Sequence, residues 1–283
     1  MKKELESIPH LTDLIALMER LAPPSLAEDW DNCGLQIGSG DWLIRSIWVA
    51  LDPLPTVVQA ASDSGVDLLI THHPLFFRPL KRVDLGTSLG RILETAVKSH
   101  TAIYSAHTNL DSTYDGINDV LADMIGIQEA RAMVPAKDAM EIDGVVRDGK
   151  TIGLGRIGDL DQPISAMHLF ENLKKRFNLK NIRLAGRIGG TIRRVAVCSG
   201  AGSSLIDRFL KSDAELFITG DLRYHDARTV EEAGKVILDL GHFASEHIIV
   251  DTLAKKLNKT CRDKGWTLTV DPCTLECDPF VTV

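Results

Sequence analysis

The sequence predicts an α/β protein made of two related three-layer lobes, and three observations lead to this fold class. Short apolar runs alternate with helical patterns, as they do in parallel sheets with crossover helices. The strand–helix–strand pattern from Val49 to Thr71 occurs again from Val197 to Thr219, at an offset of 148 residues. The 283 residues are 44% hydrophobic and 25% charged, which is the composition of a folded globular protein.

The first lobe is predicted over residues 1–126. It begins with an amphipathic helix, because Leu11, Leu14 and Met18 recur at helical spacing. Apolar runs predict strands over 46–51, 66–71 and 102–106, with a helix over 56–64 between the first two. The last of these strands ends at His107.

The second lobe is predicted over residues 127–283. Its strands are expected at 195–198, 215–219 and 235–241, with a helix over 204–210, and the last strand ends at His242. Residues 145–152 predict a hairpin and 165–177 a helix. The boundary near 126 is approximate. The C-terminal segment is assigned to the second lobe, with the alternative that it packs back on the first.

Charge and cysteine content exclude several classes. The formal net charge of −7 argues against a broad nucleic-acid interface, which needs a basic excess. No apolar run reaches the roughly 18 residues that span a bilayer, so no membrane segment is expected. Five cysteines spread over the chain indicate no disulfide framework, and we expect a cytoplasmic protein.

Histidines and acids follow the ends of the predicted strands. The strand ends carry Thr71-His72-His73, His107, Thr219-Gly220-Asp221 and His242. Ligands of parallel sheets bind beyond these ends, and imidazole with carboxylate suits Zn, Mn, Fe, Co or Ni. Adjacent histidines in an extended chain diverge, so His72 and His73 are expected to serve two neighbouring metals rather than one.

Two glycine-rich stretches are weaker signals. Residues 153–158 match the dinucleotide pattern, but no long apolar strand precedes them and Asp159 follows, so we interpret the match as accidental. The turn that contains Ser199, Gly200, Gly202 and Ser203 lies between a strand and a helix. It is either a phosphate-binding turn or an ordinary tight connection.

At these residues the chain resembles the dinuclear-metal-centre family, also called the GTP cyclohydrolase type-two homologues or interacting-factor-three-like proteins. The motifs that carry the resemblance run in order from residue 27 to residue 246. They are Ala27-Glu-Asp-Trp-Asp-Asn-Cys-Gly-Leu35, Thr71-His-His-Pro-Leu75, His107-Thr-Asn-Leu-Asp111 with Gly116-Ile-Asn118, Gly155-Arg-Ile-Gly158, Thr219-Gly-Asp-Leu222 with Tyr224-His225, and Gly241-His-Phe-Ala-Ser-Glu246.

The resemblance implies two divalent metal ions per chain in the cleft between the lobes. The ligands it implies are His72, His73, Asp111, His242 and Glu246, with Glu246 as the bridging carboxylate. His107 would orient Asp111 or a metal-bound water, and His107 or His225 would move a proton. The resemblance also implies a toroidal homo-hexamer, and the middle segment is too short for the additional domain of longer members.

Two functions follow from this resemblance. The first is a metal-dependent hydrolase acting on a nucleotide-like small molecule, with GTP cyclohydrolase type-two chemistry. The alternative is a non-catalytic protein for metal storage, metal delivery or regulatory interaction, which would use the same ligands. Nucleic-acid binding is a third class, supported only by the expected ring shape.

Overall fold

The computed structural model describes residues 7–137, 139–142, 144–187 and 189–281. Its strands are β1 Gly34–Ile37, β2 Ser46–Ala50, β3 Leu68–Thr71, β4 Ala102–Ser105, β5 Ile127–Pro135, β6 Met140–Ile142, β7 Val145–Arg147, β8 Gly153–Ser165, β9 Arg183–Ala185, β10 Thr191–Ala201, β11 Leu216–Gly220, β12 Val236–Asp239 and β13 Thr269–Pro272. Its α-helices are α1 Leu11–Leu21, α2 Pro55–Asp63, α3 Ser88–Ser99, α4 Thr108–Ser112, α5 Ile117–Ile125, α6 Ala166–Arg176, α7 Ile206–Lys211, α8 Tyr224–Glu232, α9 His242–Glu246 and α10 Ile248–Asp263. Within the described residues, no helix is long and apolar enough to cross a membrane.

The chain forms two compact units. The first unit contains the residues up to Leu110 together with Ile249–Pro279, and the second contains Asp111–Ile248 and the residues from Phe280. Each unit has its own main sheet, as the sequence repeat predicts.

The first unit is built on a five-stranded sheet in the order β1-β4-β3-β2-β13. Strands β13, β2, β3 and β4 are parallel, and β1 is antiparallel to β4 at one edge. Leu69 and Ile103 pack with Val58 of α2 and Ile92 of α3. All four residues of β3 are buried, so both faces of the sheet are covered, as parallel sheets require.

The second unit is built on a six-stranded sheet in the order β5-β8-β10-β11-β12-β9, in which β10, β11 and β12 are parallel. Successive strand residues belong to two separate cores. Val195 and Leu216 pack with residues of α5 and α6. Ala196 and Phe217, one position further along, pack with residues of α7 and α8. The alternation places a helical layer on each face and gives the expected three-layer arrangement.

The compact units divide the chain differently from the lobes predicted with a boundary near 126. Helix α5 belongs to the second unit because Leu121 and Ile125 pack against Ile127 and Leu160. The C-terminal segment belongs to the first unit because β13 pairs in parallel with β2, with Thr269 opposite Ser46.

The predicted hairpin over 145–152 is wrong. Strand β7 pairs with the preceding strand β6, not with the following residues. The Asp148 carboxylate accepts the backbone N–H groups of Lys150 and Thr151 and turns the chain. The next residues then join β5, because Lys150 O accepts from Ala132 N at 2.9 Å.

Residues 153–158 form the start of β8, which continues without a turn to Ser165. The strand–turn–helix geometry that a dinucleotide motif needs is therefore missing at this place. This agrees with the interpretation of the glycine pattern as accidental.

Candidate metal centre

His72 and His73 follow β3 at the edge of the first unit's sheet. Their backbone N–H groups donate to Ala50 O and Leu51 O, so pairing with the neighbouring β2 region continues past Thr71. The chain bends here, and the Thr71 hydroxyl donates to His73 O at 2.8 Å. The two rings consequently lie with centroids 5.1 Å apart. The expectation that these side chains diverge is wrong, because it assumed an extended chain beyond the strand.

His107, which follows β4, completes a group of three histidines within the first unit. Its ring centroid lies 5.1 Å from that of His72 and 5.5 Å from that of His73. One ring nitrogen from each of the three histidines lies within 4.8 Å of the others. This arrangement of imidazole nitrogens is able to hold a metal ion such as Zn, Fe, Co or Ni.

An oxygen acceptor fixes the orientation of each of these three rings. His72 Nδ1 lies 2.9 Å from Ala106 O, His73 Nδ1 lies 2.8 Å from Asp52 Oδ1, and His107 Nδ1 lies 2.9 Å from Asp31 Oδ1. A carbonyl or carboxylate oxygen only accepts, so Nδ1 carries the hydrogen in each case. The lone pair of the neutral ring is then on Nε2, the form in which imidazole ligates metals.

The acceptors of the first unit are themselves held in place. The backbone N–H groups of Leu51 and Asp52 donate to the Glu276 carboxylate at 2.8 and 2.7 Å. Asp31 accepts from Thr108 N at 3.0 Å as well as from His107. Burial alone would raise the pKa of Asp31, but hydrogen bonds from His107, Thr108 and Cys33 hold this pKa well below its usual value. Asp31 is therefore ionised at neutral pH.

In the second unit, His242 and Glu246 lie one turn apart on the short helix α9. His242 Nδ1 lies 2.8 Å from Asp221 Oδ2, and His242 Nε2 lies 2.8 Å from Glu246 Oε2. Burial lowers the pKa of His242, but the Glu246 and Asp221 carboxylates outweigh this effect and raise it to about 9. At neutral pH the ring therefore carries hydrogen on both nitrogens, with Nδ1–H directed at Asp221 and Nε2–H at Glu246. A metal ion bound by His242 and Glu246 would take the place of the Nε2 proton.

Gly200 gives Glu246 the space that it occupies. A Cβ at residue 200 would lie 2.0 Å from Glu246 Oε1 and 3.3 Å from His242 Cε1, so any larger residue here would force the Glu246 carboxylate out of its present position. Its φ of +57° is also a conformation that favours glycine. Gly200 N donates to Ser245 Oγ at 3.0 Å, which ties this turn to α9.

The other residues of the predicted phosphate turn also have protein partners. Ser199 N donates to Asn118 Oδ1, Gly202 N donates to Thr219 Oγ1, and Ser203 Oγ donates to Asp226 Oδ2. A phosphate would have to displace these acceptors, since each N–H carries one hydrogen. These partners favour the tight connection, and phosphate binding at this turn stays a prediction.

Hydrogen bonds hold the backbone of the segment that begins at Asp111. Asp111 O accepts from Asn118 Nδ2 at 3.0 Å. Arg156, which is fully buried, donates to Thr113 O at 2.9 Å and forms a bidentate ion pair with Asp119. Its remaining N–H groups donate to Gly153 O and Gly155 O at 2.8 Å. One buried guanidinium thus holds the segment that follows Asp111.

Sequence reasoning gave Arg156 no role. A signal was present, because Arg156 is the one charged residue in the run from Ile152 to Gly158. A charge inside a strand needs a buried partner. His225, by contrast, lies exposed on α8 with its ring 5.3 Å from that of Tyr224, and it is outside the metal-ligand groups found among the described residues.

The donor sets fit divalent metal ions. All four of His72, His73, His107 and His242 direct Nδ1 at an oxygen acceptor, the arrangement that metal-ligating histidines almost always have. In the second unit, the Glu246 carboxylate lies beside His242. The class of protein is therefore an α/β protein with two main sheets and histidine groups suited to metal binding.

The chain belongs to the Duf34/NIF3 (NGG1p interacting factor 3) family, whose sequence model matches residues 9–279. This confirms the resemblance that the motifs indicated. A relative from Clostridium perfringens (strain 13 / Type A), named GTP cyclohydrolase 1 type 2 homolog, is 34% identical over 249 residues, with 88% of this chain and 91% of the relative covered.

A second relative with the same name, from Streptococcus pneumoniae serotype 4, is 33% identical and covers 95% of this chain and 98% of its own. Among solved structures, a Bacillus cereus protein related to NIF3 superposes with a TM-score of 0.90. It is 25% identical and covers 98% of this chain and 100% of its own. These likenesses support the α/β fold over nearly the whole chain.

Proposed function

We propose that the protein binds two divalent metal ions through His72, His73, Asp111, His242 and Glu246, and that it is a metal-dependent hydrolase. The observation that supports this most strongly is the shared orientation of the histidines, whose Nδ1–H groups each meet an oxygen acceptor. Bound divalent ions would supply Lewis-acid polarisation and a water of lowered pKa.

The residues around the ligands have distinct roles in this proposal. Asp52 and Asp221 accept from Nδ1 of His73 and His242, so that Nε2 is the nitrogen through which each ring would bind a metal ion, His242 after losing its Nε2 proton. Gly200 leaves room for the Glu246 carboxylate, which is 4% exposed. His107, fixed through Nδ1 by Asp31, accepts a proton from the reacting water at Nε2.

The proposed substrate class is a nucleotide-like small molecule. The support is the name of the relatives, GTP cyclohydrolase 1 type 2 homolog, together with the hydrolytic chemistry that such ligand sets provide. Exposed His225 is a weaker candidate for proton transfer than His107, because it lies beside Tyr224 rather than beside the histidine group.

The decisive experiment measures metal content and GTP turnover in the same preparations. The wild type is expected to retain close to two ions per chain after gentle purification and to release formate from GTP. His72→Ala and Glu246→Gln should lose both properties. His168→Ala, at an exposed position of α6, is the matched control and should keep both.

Each result of this experiment has a clear meaning. Metal retained without turnover would contradict the hydrolase and favour the non-catalytic role in storage, delivery or regulation. Folded wild-type protein with no bound metal would contradict the metal site itself. The homo-hexamer that the resemblance implies stays a prediction, and light scattering would test it by giving six times the mass of one chain.

A further inference from the structure

A cavity of about 430 Å³ lies beside His107 within the first unit. Its lining includes Trp30, Asp31, Asn32, Phe77, Arg78 and Leu80. This volume is in the range of sites for small organic ligands. The cavity is formed by two loops, one before β1 and one after His73.

Hydrogen bonds connect the two loops. Asn32 Nδ2 donates to Phe76 O at 2.7 Å and to Gln36 Oε1 at 3.2 Å. Phe76 N donates back to Gln36 Oε1 at 3.3 Å. The cavity is therefore largely preformed, so a ligand would bind without first ordering its walls.

The two aromatic walls of the cavity are exposed. Trp30 is 61% exposed and Phe77 is 54% exposed, which is unusual for large aromatic residues that stand together. Their ring centroids lie 5.9 and 5.8 Å from that of His107, at interplanar angles of 76° and 87°. Each wall therefore meets His107 edge to face. Aromatic faces so placed are suited to stacking on a planar ring.

The cavity lining contains both an acidic and a basic side chain. The carboxylate of Asp31, in the lining, already accepts from His107 Nδ1 and Thr108 N, so it is not a donor that could receive an anionic group. Arg78 lines the cavity and is exposed. Lys81 and Arg82 follow within four residues, and they too are exposed. Among the described residues, Arg78 is thus the one cationic side chain of the cavity lining, and the basic stretch continues beyond it along the chain.

We infer that this cavity binds the planar heteroaromatic ring of a substrate that also carries an anionic group. The ring stacks on Trp30 and Phe77, and the anionic group lies against Arg78. His107 then connects ring recognition to the reaction, because its other neighbours are His72 and His73. The inference rests on the proposed hydrolase for its biological role, but the binding itself is measurable without turnover.

The test is calorimetric titration of the full chain, once metal-loaded and once after chelation, with guanosine monophosphate, guanosine and ribose 5-phosphate. Guanosine monophosphate should bind at least about tenfold more tightly than ribose 5-phosphate, because stacking of the base contributes that much. Trp30→Leu and Phe77→Leu should each weaken its binding about tenfold. Arg78→Gln should weaken binding of the monophosphate and leave binding of guanosine unchanged.

Trp42→Leu is the control, since Trp42 stacks on His100 and is outside the cavity lining. It should bind like the wild type.

Two results would overturn the inference. One is equal binding of ribose 5-phosphate and guanosine monophosphate. The other is unchanged binding of guanosine monophosphate by both Trp30→Leu and Phe77→Leu. Measuring the metal content of the same samples distinguishes a failure of the proposed di-metal hydrolase from a failure of the cavity assignment. Ring binding without metal would contradict the di-metal hydrolase alone, and metal without ring binding would contradict the cavity assignment alone.

Discussion

Gly200 and Glu246 are in such close contact that a single methyl group at residue 200 would overlap the carboxylate, 2.0 Å from Oε1. Gly200 lies at the end of the core strand β10 and Glu246 at the end of α9, so neither backbone segment moves away easily. The space for a proposed metal ligand on helix α9 is therefore left by the absence of a side chain on strand β10.

Gly200→Ala should displace the Glu246 carboxylate and lower the metal content from two ions per chain to one or none. The left-handed φ of +57° adds a cost of about 1–2 kcal/mol to folding. Metal analysis and thermal unfolding would measure the two effects. Gly189→Ala is the matched control, because a Cβ there meets no atom within 4 Å. If both variants bind metal equally, Gly200 does not position Glu246.

Arg156→Met should destabilise the protein by about 3–5 kcal/mol, because removing one partner of a buried ion pair leaves the other charge uncompensated. Arg156 is fully buried, and its loss would remove the guanidinium that donates to Asp119 and to the carbonyl of Thr113. Urea unfolding of the wild type and of Arg156→Met would measure the difference in their free energies of unfolding. Arg193→Met, whose parent side chain is 68% exposed and 3.7 Å from Asp159, should change it by less than about 1 kcal/mol.

Asp31→Asn should reduce stability in a way that depends on pH. Hydrogen bonds lower the pKa of Asp31 in the folded state. Its contribution is therefore fully present above the unfolded-state pKa, near 3.8, and is lost progressively as pH falls from there toward the folded-state pKa. We expect a wild-type advantage of about 2 kcal/mol from pH 5 to 7, as for hydrogen bonds to a charged group. It should shrink progressively below about pH 4.

Urea unfolding of metal-free wild type and Asp31→Asn between pH 3 and 7 would measure this difference. Asp63→Asn serves as the comparison, since Asp63 lies on the exposed end of α2 and bonds only an exposed glutamine amide. A difference between wild type and Asp31→Asn that stays constant down to pH 3 would exclude the ionised form of Asp31 as its source.

Thiol labelling should find one rapidly reacting cysteine of the five. Cys277 is exposed, whereas Cys198, Cys261 and Cys273 are buried. Burial raises the pKa of Cys261 to about 11, and burial with the Asp31 hydrogen bond raises the pKa of Cys33 to about 12. At pH 8 these thiols are protonated and poorly nucleophilic.

An Ellman's reagent assay at pH 8 should therefore show one fast equivalent in the native protein and five in denaturant. Cys277→Ser should remove the fast equivalent. Two or more fast equivalents in that variant would show that a second thiol is accessible.

Sequence patterns predicted the parallel strands and the strand-end histidines well, because both depend on local information. Buried β3 is a short continuous apolar run, and His72 and His73 follow it directly. The repeat then indicated the second sheet, since β10 and β11 pair in parallel as β2 and β3 do.

The remaining features depend on contacts between residues far apart in the chain. The space that Gly200 leaves for Glu246, and the bonds from Arg156 to Thr113 and Asp119, have no local pattern. The pairing of β13 with β2 joins residues more than 200 positions apart, which strand propensity does not reveal.

The return of the chain to the first unit has a consequence for biosynthesis. Strand β13 and Glu276 complete that unit, and Glu276 holds the backbone of Asp52, which orients His73. During translation, the intervening residues of the second unit emerge earlier and are able to fold first, because domains generally fold as units. The contacts that hold Asp52 beside His73 are thus completed only after residue 276 has left the ribosome, when most of the second unit has already been synthesised.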